Sequence, residues 1–133
     1  MRYCADTWFL LELFERDPRA LLLFEEVKSG KDWLYISTIA YAETFKKLFH
    51  RGIPEDTIDA FFDRLAATSK SSLVTPDARI AKEAAKVSLT FRVPLIDAFI
   101  AATAKVLDCN VLLSKDADFA ILARKKYLKV RSW

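Results

Sequence analysis

Short apolar runs alternate with longer amphipathic segments, and that alternation lays out the elements. Met1 to Ala5 reads as a strand ending on Asp6, and Thr7 to Phe14 follows as a helix. Asp17 before Pro18 is an N-cap with proline in the first helical turn, so a helix runs from Pro18 to Ser29 until Gly30 stops it. Trp33 to Ile36 (WLYI) is the second strand; Ser37 or Thr38 then caps a helix reaching about Arg51, with Gly52 as its stop. Ile58, Phe61, Phe62 and Leu65, spaced i, i+3, i+4, i+7, set the apolar face of a helix from Pro54 to about Thr68. Phe61 and Phe62 lie about 100° apart on that helix, so one of them is a candidate for an exposed patch suited to association, unless both are core.

Leu73 and Val74 form a brief third strand, and Thr75 with Pro76 repeats the cap-plus-proline signal for a helix to about Leu89. Pro94 opens another helix through Leu107. Asn110 to Leu113 (NVLL) is a strand of the fully buried type, Asp118 to about Lys125 reads as helical, and Leu128 to Arg131 supplies a last strand. Strands separated by helices pair in parallel, because each crossover returns the chain to the same end of the sheet. The expected fold is α/β: a three-layer α/β/α arrangement with a short parallel sheet flanked by helices, one domain over residues 1–133. No linker, repeat or low-complexity tract interrupts it.

Composition narrows the chemistry. With 53% hydrophobic and 29% charged residues in 133, the chain has ample core material and no bias toward disorder. Two Gly and one His exclude a Walker loop, a GxGxxG turn and an HExxH zinc site. His50 is the only imidazole and no G-x-S-x-G elbow presents a serine, so a hydrolase triad is excluded as well. Two Cys are too few for a zinc cluster or a disulfide scaffold, which points to a reducing cytoplasm. Cys4 and Cys109 should be offset by about three strand residues, roughly 10 Å, beyond disulfide reach, so both are expected free. No apolar run approaches the roughly 18 residues of a membrane span, and no membrane role is expected. Any catalysis must rest on carboxylates.

Ligands of open α/β sheets bind outside the carboxyl ends of the strands. Asp6 directly follows the first strand, Asp116 and Asp118 follow the fourth, Asp97 lies in the first turn of the helix from Pro94, and Glu43 sits on the second turn after strand two. Each alone has a structural use: Asp6 as an N-cap, Asp97 at a helix start, Asp116 and Asp118 as turn formers. Several acids on one rim, however, repel one another unless cations are present. Glu43 is the weakest of the set by pattern, since a face drawn through Tyr41, Phe45, Leu48 and Phe49 puts it nearly opposite, in solvent. Carboxylates without Cys or His ligands suit Mg²⁺ or Mn²⁺, ions that bind phosphates and activate water for attack on phosphorus. The net charge of +3 supplies cations for a polyanion, with Lys46, Lys47, Arg79, Arg92 and Lys115 as candidates near the rim.

Taken in order, Asp6-Thr7 after the first strand, STIAYAETFKKL around Glu43, PLIDAFIAATA around Asp97 and LLSKDADF around Asp116 resemble the successive motifs of PIN-domain ribonucleases, most closely the VapC-type toxins of toxin-antitoxin pairs. The resemblance spans nearly the whole chain. It implies that Asp6, Glu43, Asp97 and Asp116 form an acidic quartet holding one or two divalent metals, with Asp118 as a further acid and Thr7 and Ser114 as hydroxyls orienting the shell. It also implies metal-dependent hydrolysis of RNA, a homodimer, and inhibition by a small antitoxin. Trp8 departs from the pattern, standing where the family usually has a small Ser or Asn. Two other classes compete. A catalytically weak PIN-like module binding RNA or a partner would need no metal. A receiver or haloacid-dehalogenase-like enzyme would need further acids, the latter one two residues after Asp6, where Trp8 stands.

Overall fold

The computed structural model describes residues 1–133. Five strands, β1 (Arg2–Ala5), β2 (Trp33–Ser37), β3 (Ser71–Val74), β4 (Val111–Leu113) and β5 (Val130–Arg131), form one parallel sheet in the order β3-β2-β1-β4-β5. Seven helices connect them: α1 (Thr7–Phe14), α2 (Pro18–Lys28), α3 (Thr38–His50), α4 (Glu55–Ala67), α5 (Ala78–Phe91), α6 (Leu95–Val106) and α7 (Ala120–Arg124). Right-handed crossovers place α1 to α4 on one face and α5 to α7 on the other, so the α/β/α layering expected from the sequence is the architecture found. The chain reverses its direction of travel across the sheet between β1 and β4, and a crevice opens at such a switch point. Asp6 leaves β1 there and Asp116 follows β4.

The central strands are buried on both faces, with Cys4, Ala5, Leu34, Ile36, Leu112 and Leu113 inaccessible to solvent. Helix α6 packs on β1, β2 and β4 through Ala98, Ile100, Ala101, Ala102 and Ala104; its small side chains let the helix axis approach the sheet closely, which brings the Asp97 end of α6 over the switch point. No single helix is long and apolar enough to cross a membrane.

Several boundaries differ from the sequence reading. Helix α5 begins at Ala78, and its cap is Asp77, whose Oδ1 accepts from the Ile80 N–H at 2.9 Å; Thr75 and Pro76 lie in the extended approach. Asp77→Ala is expected to lower unfolding stability by about 1 kcal/mol while Thr75→Ala changes it by less than ~0.5 kcal/mol, as read by urea denaturation. The helix also runs two residues further, to Phe91, ending on left-handed Arg92 (φ 56°), so that no glycine announced its end. Strand β3 starts at Ser71, because Leu34 to Ser37 of β2 pair with it over four residues despite its two serines. Strand β5 is only two residues long, and the segment after Asp116 is a 3₁₀ turn (Ala117–Phe119) leading into α7. Phe61 and Phe62 are both core, packed edge-to-face at 5.1 Å; the exposed large apolar side chains are instead Leu22, Phe49, Leu89, Leu95 and Ile96, with Met1 and Leu73.

Both cysteines are free, and Cys4 pairs in register with Leu112, three residues beyond Cys109. That offset does not separate the thiols as strand spacing alone suggested. Cys109 precedes β4 in a turn, and its thiol beside Cys4, together with complete burial, pushes the Cys4 thiol well above its usual range.

Candidate functional site

Strand β1 delivers Asp6 to the carboxyl edge of the sheet, where the residue is 6% exposed. Although Asp6 occupies the N-cap position of α1, its carboxylate makes no capping bond. Its Oδ2 instead accepts from Ser114 Oγ at 2.6 Å, a charge-assisted bond from the residue after β4. The same Ser114 oxygen accepts from the Asp116 N–H at 3.0 Å, and Asp116 Oδ1 accepts from the Asp118 N–H at 2.9 Å. A continuous chain of bonds therefore ties the acid after β1 to the two acids after β4. Asp116 does serve as the turn former its sequence context suggested.

Helix α6 contributes Asp97 from its first turn. Ligand oxygens of Asp97, Asp116 and Asp118 lie within 4.8 Å of one another, a spacing at which one cation can touch all three. Asp6 and Glu43 are outside that tight trio but within its field. Burial is the largest influence raising the Asp6 pKa, with Asp116 adding to it and the Ser114 bond opposing it. Burial also raises Glu43, followed by the charge of Asp6 and, against it, the ammonium of Lys47. Asp97 is pushed up to about 7 by burial and by the neighbouring charges of Asp116, Asp6 and Asp118. The five acids thus crowd one another, and of the rim cations Lys47 opposes that crowding at Asp6 and Glu43.

Glu43 corrects the helical-wheel reading. The residues of α3 that press on the sheet are Ala40, Thr44 and Leu48, small or short side chains spaced by four, whereas Tyr41, Phe45 and Phe49 form an aromatic stripe along the outer flank. Glu43, three residues after Ala40, falls on the inner flank and is half-buried. The large aromatics drew the apolar face to the wrong side, because close helix-to-sheet approach selects small residues. Glu43 Oε1 and Thr7 Oγ1 are both buried and neither completes a hydrogen bond, although Thr7 lies near enough to favour the charged carboxylate. Two unpartnered buried oxygens beside a set of carboxylates fit a hard divalent cation or the water it carries, and no His or Cys dilutes that preference.

Trp8 points its ring to the C-terminal segment, 4.9 Å from Trp133, which also meets Phe9 edge-on and stacks under the Arg19 guanidinium at 5.5 Å. This explains how a bulky ring is accommodated next to Thr7. Trp133 carries no periodic signal, so its part in walling this corner was not legible from the sequence.

The sequence matches the PIN domain over residues 3–125. The chain belongs to the PIN domain family. Solved structures of similar fold include VapBC2 from Rickettsia felis bound to a promoter DNA fragment (TM-score 0.75, 16% identity, covering 100% of this chain and 99% of that one). VapBC from Salmonella typhimurium, also DNA-bound, gives a TM-score of 0.74 at 14% identity, covering 100% and 98%, and VapBC-1 from nontypeable Haemophilus influenzae 0.69 at 23%, covering 100% and 98%. No curated protein matches the sequence. In this PIN domain the Ser114 bridge is the joint between the two halves of the acidic cluster. Ser114→Ala is expected to raise the Asp6 pKa further, because it removes the bond that opposes burial, and to destabilise the fold by about 1.5–3 kcal/mol. Carboxyl-carbon NMR titration and urea unfolding read the two effects.

Proposed function

We propose that this PIN domain, acting as a single unit over residues 1–133, is a divalent-metal-dependent ribonuclease and the toxin of a toxin-antitoxin pair. The observation that carries the reading is the gathering of Asp97, Asp116 and Asp118 within 4.8 Å at the switch point, with Asp6 and Glu43 alongside. Carboxylates gathered in one crevice repel one another, and a cationic occupant relieves that repulsion. Asp97, Asp116 and Asp118 would hold a Mg²⁺ or Mn²⁺ ion, with Asp6 and Glu43 completing its surroundings directly or through water. Such an ion, when bound, supplies a polarised water and neutralises charge on a phosphodiester.

The chain's own groups do the rest. Ser114 fixes the Asp6 carboxylate, Asp116 sets the 3₁₀ turn that presents Asp118, and Glu43, whose pKa is raised by burial, stands beside them as a carboxylate able to accept a proton from water. Lys47 adds a positive charge beside Asp6 and Glu43, where an RNA phosphate would approach. The antitoxin assignment is supported by the fold shared with VapBC complexes and by exposed Leu22 and Phe49, apolar side chains open to a small partner. Leu89, Leu95 and Ile96, exposed around the corner between α5 and α6, are the surface a second copy of the chain would cover.

The test is cleavage of RNA in Mg²⁺ by the purified protein, repeated on a strand whose 2′-hydroxyl next to the broken bond is replaced by hydrogen. Attack by water predicts that both strands are cut. A requirement for that 2′-hydroxyl, or RNA held intact, overturns the reading, the second outcome in favour of a binding module.

A further inference from the structure

All five ion pairs of the protein lie around α1, α2, α3 and the start of β1: Met1 with Asp32, Arg19 with Asp17, Lys28 with Glu25, Lys31 with Glu26, and Arg51 with Glu15. Around β5, α5 and α6 the cations are different, although Met1 of the first pair borders them. An open cleft of about 960 Å³ runs along the outer edge of β5 and past the amino end of β4, with Lys105, Lys126, Lys129 and Arg131 on its walls. A second hollow of about 290 Å³ shares Lys105 and adds Arg79, Lys82 and Lys86 from α5. These seven cations are exposed, and none is paired with a carboxylate.

The acids within the two hollows are few. Glu83 is engaged by the Tyr127 hydroxyl at 3.0 Å, which leaves Asp108 as the other. Two of the cations are held in place: Lys105 Nζ donates to the Tyr127 carbonyl at 3.0 Å, and the Arg131 guanidinium lies 5.2 Å above the Tyr3 ring. Concentrating unpaired like charge this way raises the local potential and repels itself until a polyanion covers it.

The cleft and the acidic cluster are joined through the backbone at the end of β5. Arg131 stands beside Leu113 at the carboxyl end of β5, and its carbonyl accepts from the Ser114 N–H at 3.0 Å. Ser114 in turn holds Asp6. The backbone of β5 is therefore bonded to the residue that joins the two halves of the acidic cluster, while the Arg131 guanidinium turns back over Tyr3, so the cations line the sheet edge from there toward its amino end, over roughly 10 Å. A polymer with evenly spaced phosphates matches such a track, whereas a small anion would occupy one point of it.

From this we infer that the β5-edge cleft is an RNA-backbone site, which holds the phosphates of a single strand some nucleotides away from the bond at the acidic cluster. The inference rests on the ribonuclease reading for the identity of the polyanion, and its test is independent of cleavage. Binding of fluorescent poly(U) to the full chain is measured in EDTA across a range of salt concentrations, for wild type, Lys126→Gln/Lys129→Gln, Lys82→Gln/Lys86→Gln, and a control Lys28→Gln/Lys31→Gln on the ion-paired side. Each lost phosphate contact on a single strand should reduce the slope of log K against log salt by about 0.7, so each cleft pair loses about 1.4 and weakens binding on the order of tenfold near 0.1 M salt. The control should keep the wild-type slope, and all melting temperatures should agree, since the replaced side chains are exposed. Slopes unchanged in both cleft variants would overturn the inference and leave these lysines as protection of an exposed strand edge. Absence of poly(U) binding by the wild type would overturn it as well. A wild type that binds with the full slope yet never cleaves RNA would sink the ribonuclease reading and leave the RNA-backbone site standing.

Discussion

Asp97→Asn is expected to leave the metal-free protein as stable as wild type or more so, while removing both the stabilisation by Mn²⁺ and the cleavage of RNA. The expectation follows from the crowding of charge. Asp97 is raised to about 7 in the fold from 3.8, so its carboxyl binds its proton more tightly folded than unfolded. Its favourable contribution is complete below about pH 4 and is lost as pH rises through about 7, which makes it a liability at neutral pH without a cation. Asparagine keeps the shape and drops the charge. In the wild type, metal at a hundred times its dissociation constant should add about 2.7 kcal/mol, a rise in melting temperature of roughly 10 °C. In the variant that rise should vanish and cleavage should fall at least ~100-fold, since even groups behind metal ligands change affinity or activity by 10–100-fold. A helix-start role predicts the reverse, a loss of a few tenths to about 1 kcal/mol in EDTA with cleavage intact. Melting curves of both proteins in EDTA and in Mn²⁺ at pH 5 and pH 8 decide, and the advantage of the variant in EDTA should be larger at pH 8.

Phe119→Ala should be the more damaging change to the fold. Phe119 is fully buried at the end of the 3₁₀ turn that presents Asp116 and Asp118, and it anchors the turn to the core shared with Leu122. Truncating such a ring leaves a cavity and lowers stability by about 3–5 kcal/mol, or on the order of 10–20 °C in melting temperature. With its anchor gone the turn loosens, so cleavage should fall below what the folded fraction accounts for. Phe119→Leu, which refills much of the space, should recover most of the stability and most of the activity. Stability lost without any further loss of activity per folded molecule would detach the ring from the acid-bearing turn.

Why the fold was readable and the site only partly so comes down to which residues carry local signals. Gly30 and Gly52 sit at φ 86° and 87°, and Asp17 caps the proline-led helix, so those element ends were written locally. The end of α5 was not, because Arg92 takes a left-handed conformation that no residue type announces. Asp6 and Asp116 were placed correctly by strand ends alone, since parallel topology puts both at the switch point. Glu43 was not, because its burial depends on how near α3 stands to the sheet, and that is set by Ala40 and Thr44 rather than by the larger Tyr41 and Phe45. The family motif supplied what periodicity withheld. The basic cleft along β5 was invisible for a related reason: its cations come from α5, α6, the α7 end and β5, segments far apart in the chain that only the closed sheet brings together.

The most direct measurement is cleavage of one end-labelled RNA by protein stripped with EDTA, before and after titration with Mn²⁺ or Mg²⁺. A metal-held acidic site predicts intact RNA without metal, cleavage that grows with divalent occupancy, and no restoration by monovalent salt at equal ionic strength. Cutting that proceeds undiminished in EDTA and is untouched by Asp97→Asn would contradict it.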